Sequence, residues 1–143
     1  MSVTATLYGG FLKSLGNKQI NLNSDTFMVM LLSSSYTPSD THQYQSDVSS
    51  YEITGTGYTA GGATIASTAT SYASDVLTFT GGNVSWGSSS ISAAYAVVYD
   101  STPGAAASNP LVGYVNFGGT ISDTSGTFEV TWNASGIATI THS

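Results

Sequence analysis

Thr26 to Ser33, TFMVMLLS, decides the fold class, because it is apolar on both parities: Phe27, Val29 and Leu31 on one, Met28, Met30 and Leu32 on the other. A strand with one wet face alternates apolar and polar residues, whereas a run apolar throughout, bounded by Asn and Asp before and by Ser and Pro after, predicts a strand covered on both faces. Working outward, Leu7, Phe11, Leu12 and Leu15 repeat at helical spacing and predict one short helix ending at Gly16-Asn17, although Gly9 and Gly10 each weaken it by roughly 1 kcal/mol relative to Ala. On the other side, Thr64 to Tyr72 and Val76 to Thr80 flank Ala73-Ser74-Asp75 and read as a hairpin.

Gly81-Gly82 breaks that run before Val84 and Trp86, and Gly87 with three serines breaks the next before Ile91 to Tyr99, ISAAYAVVY, a second central strand. Ser101 to Pro110 has the composition of an exposed connection, and Leu111 to Phe117 resumes a strand before a turn at Gly118-Gly119. Phe128, Val130 and Trp132 alternate with polar residues, and Gly136 separates them from Ile137 to Thr141, which predicts a terminal hairpin. Together these segments predict an all-β fold: an antiparallel sandwich or partly closed barrel of about seven or eight strands with one short N-terminal helix. One domain spans 1–143, with an arm and helix over 1–24, mobile first residues and a long loop over 40–62.

Composition narrows the function classes. At 143 residues the chain can bury one self-sufficient core, and only 7% of it is charged, against roughly a quarter in an ordinary soluble domain. Serine and threonine number 44, so hydroxyls rather than ions cover the surface, while 41% apolar content is too high for a disordered chain. Lys13 and Lys18 are the only basic residues and the net charge is −6, which opposes nucleic-acid binding. Nothing in the sequence marks export or membrane insertion, and without cysteine there is no disulfide, thiolate zinc site or thiol nucleophile.

The candidate functional segment is Asp40 to Gly62, DTHQYQSDVSSYEITGTGYTAGG, which gathers His42, three acids, three tyrosines and four glycines without a hydrophobic period. A long ordered loop inside a compact domain carries function or covers the core. His42 between Asp40 and Asp47 could orient toward a serine or help hold a cation, but there is no G-x-S-x-G elbow and no zinc or calcium loop spacing. Glu52, Asp75 and Glu129 could supply a carboxylate pair for glycoside cleavage, yet each reads equally as an exposed carboxylate at a turn or strand edge. Gly55-Thr56-Gly57 and Gly61-Gly62 lack the helix and the Lys-Ser or Lys-Thr of a phosphate cradle, so they read as backbone bends. Tyr36, Tyr44, Tyr51 and Tyr58 offer flat, rigid area to a protein or a sugar, or serve as lids on the core. No catalytic, cofactor or metal residue is assigned.

Ser34 to Ile65, SSYTPSDTHQYQSDVSSYEITGTGYTAGGATI, then Asn83 to Gly118, NVSWGSSSISAAYAVVYDSTPGAAASNPLVGYVNFG, and Thr127 to Ile140, TFEVTWNASGIATI, together resemble a family of small tailed-bacteriophage virion structural proteins. Thr37-Pro38 with Asp40-Thr41-His42, Gly55-Thr56-Gly57-Tyr58 and Ala96-Val97-Val98-Tyr99 carry the likeness. The resemblance implies a head decoration or cement protein on the outer surface of the capsid. It would be a homo-trimer partnered with the major capsid protein, without enzymatic activity, cofactor, nucleic acid or membrane. The contact residues expected are Asp40, His42, Tyr44, Tyr51 and Tyr58 of the loop with Phe11 and Leu12 of the helix. The alternative is a tail-fibre or receptor-binding module in which Tyr44, Tyr51, Tyr58 and Trp86 stack on host glycans.

Overall fold

The structure is a computed structural model that describes residues 4–143; the first few residues, expected to be mobile, lie outside that range. Ten strands and one helix follow in the order β1 (Thr4–Leu7), α1 (Gly9–Gly16), β2 (Phe27–Leu32), β3 (Ala63–Thr64), β4 (Ala69–Ala73), β5 (Val76–Thr80), β6 (Val84–Ser89), β7 (Ser92–Asp100), β8 (Leu111–Ser122), β9 (Gly126–Val130) and β10 (Ala138–Thr141). A five-stranded sheet, β1-β8-β7-β2-β3, forms one layer, and a three-stranded sheet, β10-β5-β4, with a two-stranded sheet, β6-β9, forms the other. Every pairing is antiparallel. The fold is therefore an open, sandwich-like arrangement whose sheets do not close.

β2 is covered on both faces, as its sequence requires. Phe27, Val29 and Leu31 pack with Ala96, Val98 and Val112 against Phe79, Val84, Trp86, Phe128 and Val130 of the second layer. Phe27 and Phe79 meet edge-on with ring centroids 4.9 Å apart, a favoured aromatic geometry. On the opposite face Met30 and Leu32 join Val97, Tyr99 and Leu111, and the cover there is Tyr8, Tyr36 and Val48 rather than a sheet.

Several sequence expectations need correction. Among the described residues there are ten strands against the expected seven or eight, and Leu7 belongs to β1 rather than to the helix, so Thr4–Leu7 of the N-terminal arm is an edge strand paired with β8. The β4–β5 turn is the two residues Ser74-Asp75, both at positive φ, since Ala73 pairs with Val76. Such a turn matches the right-handed twist of the flanking strands. Gly87 and Gly118-Gly119 do not end their strands: β6 runs on to Ser89 through a bulge, and β8 continues to Ser122. The terminal hairpin does not form, because β9 pairs with β6 while β10 pairs with β5. Phe128 and Val130 find their cross-strand partners in Trp86 and Val84, well back along the chain.

Candidate functional site

The Asp40–Gly62 loop is built as a strap across the tyrosine-rich face of the five-stranded sheet. Isolated bridges join Tyr44 to Pro110, Glu52 to Leu32 and Thr56 to Ser90, and two short 3₁₀ turns, Gln45–Asp47 and Ser49–Tyr51, bend it between them. Val48 at its centre is fully buried. The N–H of Leu111 donates to the carbonyl of Gln43 at 2.8 Å, and that of Ile53 to the carbonyl of Leu31 at 3.1 Å.

Its polar side chains hold this course. The Gly9 N–H donates to Asp40 Oδ1 at 2.8 Å, so Asp40 caps the first turn of α1, which has no side-chain cap from its own N-cap residue, Tyr8. Close approach explains the two glycines there: a Cβ at Gly9 would lie 2.7 Å from the Asp40 carboxylate, and one at Gly10 would lie 2.8 Å from the His42 carbonyl oxygen. His42 Nδ1 is 3.0 Å from the Tyr36 hydroxyl, which is 2.7 Å from the Tyr8 hydroxyl, a chain running from the loop into the core. The Gln43 and Tyr44 N–H groups both donate to Asp47 Oδ2, at 2.8 and 2.9 Å. Desolvation alone would raise the Asp47 carboxyl, but these two donors and nearby His42 outweigh it and hold the group below its ordinary value. Tyr44 accepts from Gln19 Nε2 at 2.9 Å and from Gln43 Nε2 at 3.2 Å.

The far end of the loop is anchored the same way. Glu52 Oε1 accepts from the Tyr58 hydroxyl and from the Gly61 N–H, each at 2.7 Å, while Tyr58 accepts from the Leu31 N–H at 3.0 Å. Tyr99 donates to the Gly61 carbonyl at 2.6 Å. Burial pushes the Tyr58 phenol well above its ordinary value and holds Tyr99 at about 12. At Gly62, φ is +83° and a Cβ would fall 1.7 Å from the Val29 carbonyl oxygen, so only glycine lets the strap close onto β2.

The expected contact residues thus divide. Phe11 is fully buried in the core and presents nothing to a partner, a correction, whereas Leu12 beside it is 56% exposed. Asp40 is exposed, and His42, Tyr44, Tyr51 and Tyr58 are half-buried. Of the rings expected to stack on sugars, Trp86 is buried with Tyr58 against it, ring centroids 5.7 Å apart, while Tyr51 packs on Tyr36 in the other core. Asp40, His42 and Asp47 hold different backbone and side-chain partners and do not converge as a ligand set. Glu52 lies in the strap, Asp75 at the β4–β5 turn and Glu129 at an exposed position of β9.

Sequence reading missed two features. Asp100, at the end of β7, is fully buried with Oδ2 unpartnered, and Asp25 lies alongside; desolvation first, then the neighbouring acid, push the Asp100 carboxyl up to about 6. The second is an open cleft of about 500 Å³ between β1 and β8 on one side and residues 131–139 on the other, away from the loop. A Val-Val-Tyr-Asp run hints at the buried acid, but no local pattern joins the two walls of the cleft. No family model, curated protein or solved structure matches the chain.

Proposed function

We propose that this protein is a non-enzymatic structural component of a tailed-phage virion, a decoration or cement protein that binds the outer surface of the major capsid protein lattice and stabilises the head. The observation that carries the reading is the strap: its histidine, acids and tyrosines are engaged in fixing one backbone course, as a rigid scaffold for binding across capsomer joints requires. Outward the strap presents hydroxyls and glycines, Thr54 to Gly57 and Thr59, with the exposed carboxylates Asp40 and Asp47, next to the half-buried tyrosines. Together with the resemblance of Ser34 to Ile65 and Asn83 to Gly118 to phage structural proteins, this supports attachment through the strap and the exposed Leu12 side of α1, with trimers matching the lattice symmetry.

Cryo-electron microscopy of the source particle tests the reading. Density for this chain on the outer capsid surface at a symmetric position is the expected result; density on the tail alone, or none, ends the capsid assignment. Light scattering at micromolar concentration is expected to give a trimer mass, and a monomer would leave trimerisation to the lattice alone. Binding to host polysaccharide in isothermal titration, with none to empty capsids, would transfer the assignment to a receptor-binding module.

A further inference from the structure

The cleft away from the strap has a feature that an ordinary pocket lacks: a free strand edge on each side. β1 ends the five-stranded sheet and β10 ends the three-stranded sheet, so among the described strands each has a neighbour on one side only. Ala5 and Leu7 of β1 and Ala138 and Thr139 at the start of β10 line the same cleft. The Tyr8 N–H donates to the Val112 carbonyl, and the register Thr6↔Tyr114 continues that phase, so Thr6 and Tyr8 face β8. In an antiparallel ladder the alternate residues point the other way, which turns the main-chain N–H and C=O of Ala5 and Leu7 outward. The same alternation, set by the His142 N–H donating to Asp75, turns those of Thr139 outward from β10.

Exposed edges are ordinarily protected by lysine, proline, bulges or inward charges. The edge strands TATL and ATIT have no charge and no proline, and no charged residue lines the cleft between them. Leu7, Val115, Trp132 and Ile137 give its walls an apolar surface. Its volume, about 500 Å³, lies in the range of genuine binding sites. Unpaired main-chain groups call for a ligand with a regular row of amides, and walls without charge exclude an ionised one. A volume of about 500 Å³ holds one short extended segment rather than a second folded sheet.

We propose that the β1–β10 cleft is a strand-accepting site that binds an uncharged, extended segment of a partner protein by β-augmentation along β1, with small apolar side chains at alternate positions directed at Trp132 and Ile137. The proposal stands on the fold and cleft alone, so it and the capsid assignment fail separately.

The test uses the full chain and a capped Thr-Val-Ser-Val-Thr peptide, followed by ¹H–¹⁵N chemical shifts and amide exchange. Saturable shifts at the Ala5, Leu7 and Thr139 amides and the Trp132 indole, with slowed exchange at Ala5 and Leu7, are expected. Methylating alternate peptide nitrogens, or placing glutamate at both valines, should weaken binding by about tenfold or more. Ala5→Pro removes an outward N–H that the β8 ladder does not use and should abolish the response; Ile137→Glu, which charges the apolar wall, does the same should the proline variant misfold. No saturable shift at millimolar peptide overturns the proposal. So does binding indifferent to N-methylation, which would mean a plain apolar pocket, or self-association of the free protein through Ala5 and Leu7, which would make the occupant a second copy.

Discussion

The two faces of the five-stranded sheet are built from alternate residues of the same strands yet are held by different physics. On one, Phe27, Val29 and Leu31 meet the second layer through area and ring geometry. On the other, Met30 and Leu32 lie under tyrosines, where Tyr36 packs against Tyr51 and Tyr95 and links Tyr8 to His42 through hydroxyls. Apolar packing tolerates volume-conserving exchange. Directed hydrogen bonds under a loop do not, since each fixes where a particular backbone segment must lie. The difference shows how an irregular strap of more than twenty residues, poor in regular structure, can be as well placed as a sheet.

Alkali should separate the faces most strongly. Burial is the main cause that lifts Tyr36 and Tyr99 to about 12 and Tyr8 higher still. A phenol raised in the folded state contributes stability in full below its ordinary value of about 10 and loses that contribution as the pH climbs towards the folded value. The melting temperature should therefore fall steeply from pH 10 to 12. Tyrosinate absorbance and circular dichroism should change together; phenols of the buried cluster that ionise near 10 before any unfolding would dissolve the distinction. Next in size, Phe27→Ala on the apolar face should cost about 3–5 kcal/mol in urea titration, the usual cost of a buried aromatic cavity.

Tyr36→Phe on the opposite face keeps the ring but strands the Tyr8 hydroxyl and His42 Nδ1, so about 1–3 kcal/mol is expected from a single oxygen. Tyr8→Phe should cost less, because Tyr36 retains His42, and the double variant should fall short of the sum. A negligible cost for Tyr36→Phe would reduce the tyrosine face to packing alone. The smallest effect is a gain. Asp100 pairs with Phe27 across β2 and β7, so it marks the end of the apolar face. Its folded value of about 6 stands above the ordinary carboxylate value, so its contribution is present at pH 4 and lost as the pH rises through 6. Asp100→Asn should stabilise the protein by about 1 kcal/mol at pH 7.5, with the advantage shrinking towards pH 4.5. Equal melting curves for the two proteins across that range would refute it.

Much of this contrast was legible in the sequence, though not all. TFMVMLLS announces a strand with two covered faces because both parities are apolar, but hydrophobicity alone does not say that one cover is a sheet and the other a strap. Gly118 and Gly119 read as a turn because glycine serves turns and strand irregularities alike; here positive φ at both is absorbed within β8. Phe128 to Thr141 read as a hairpin because proximity in sequence is the default partner, and only the distant Trp86 and Phe79 reveal otherwise. In the loop, Asp40, His42, Asp47 and Glu52, which the sequence singles out as possible chemistry, are engaged in the bonds that hold the strap.

The pairing of β1 with β8 has a further consequence, for the order of events in time. Thr4 is synthesised long before its partner, Asn116. β6 waits likewise for β9, and β5 for β10. Contacts this far apart in sequence make folding slow, since loop closure must precede the contacts that reward it. The main sheet cannot be completed until β8 has been made, and until then β7 and β2, both strongly apolar, stand without their full cover. The nascent chain is aggregation-prone in the interval before β8, β9 and β10 have met their partners.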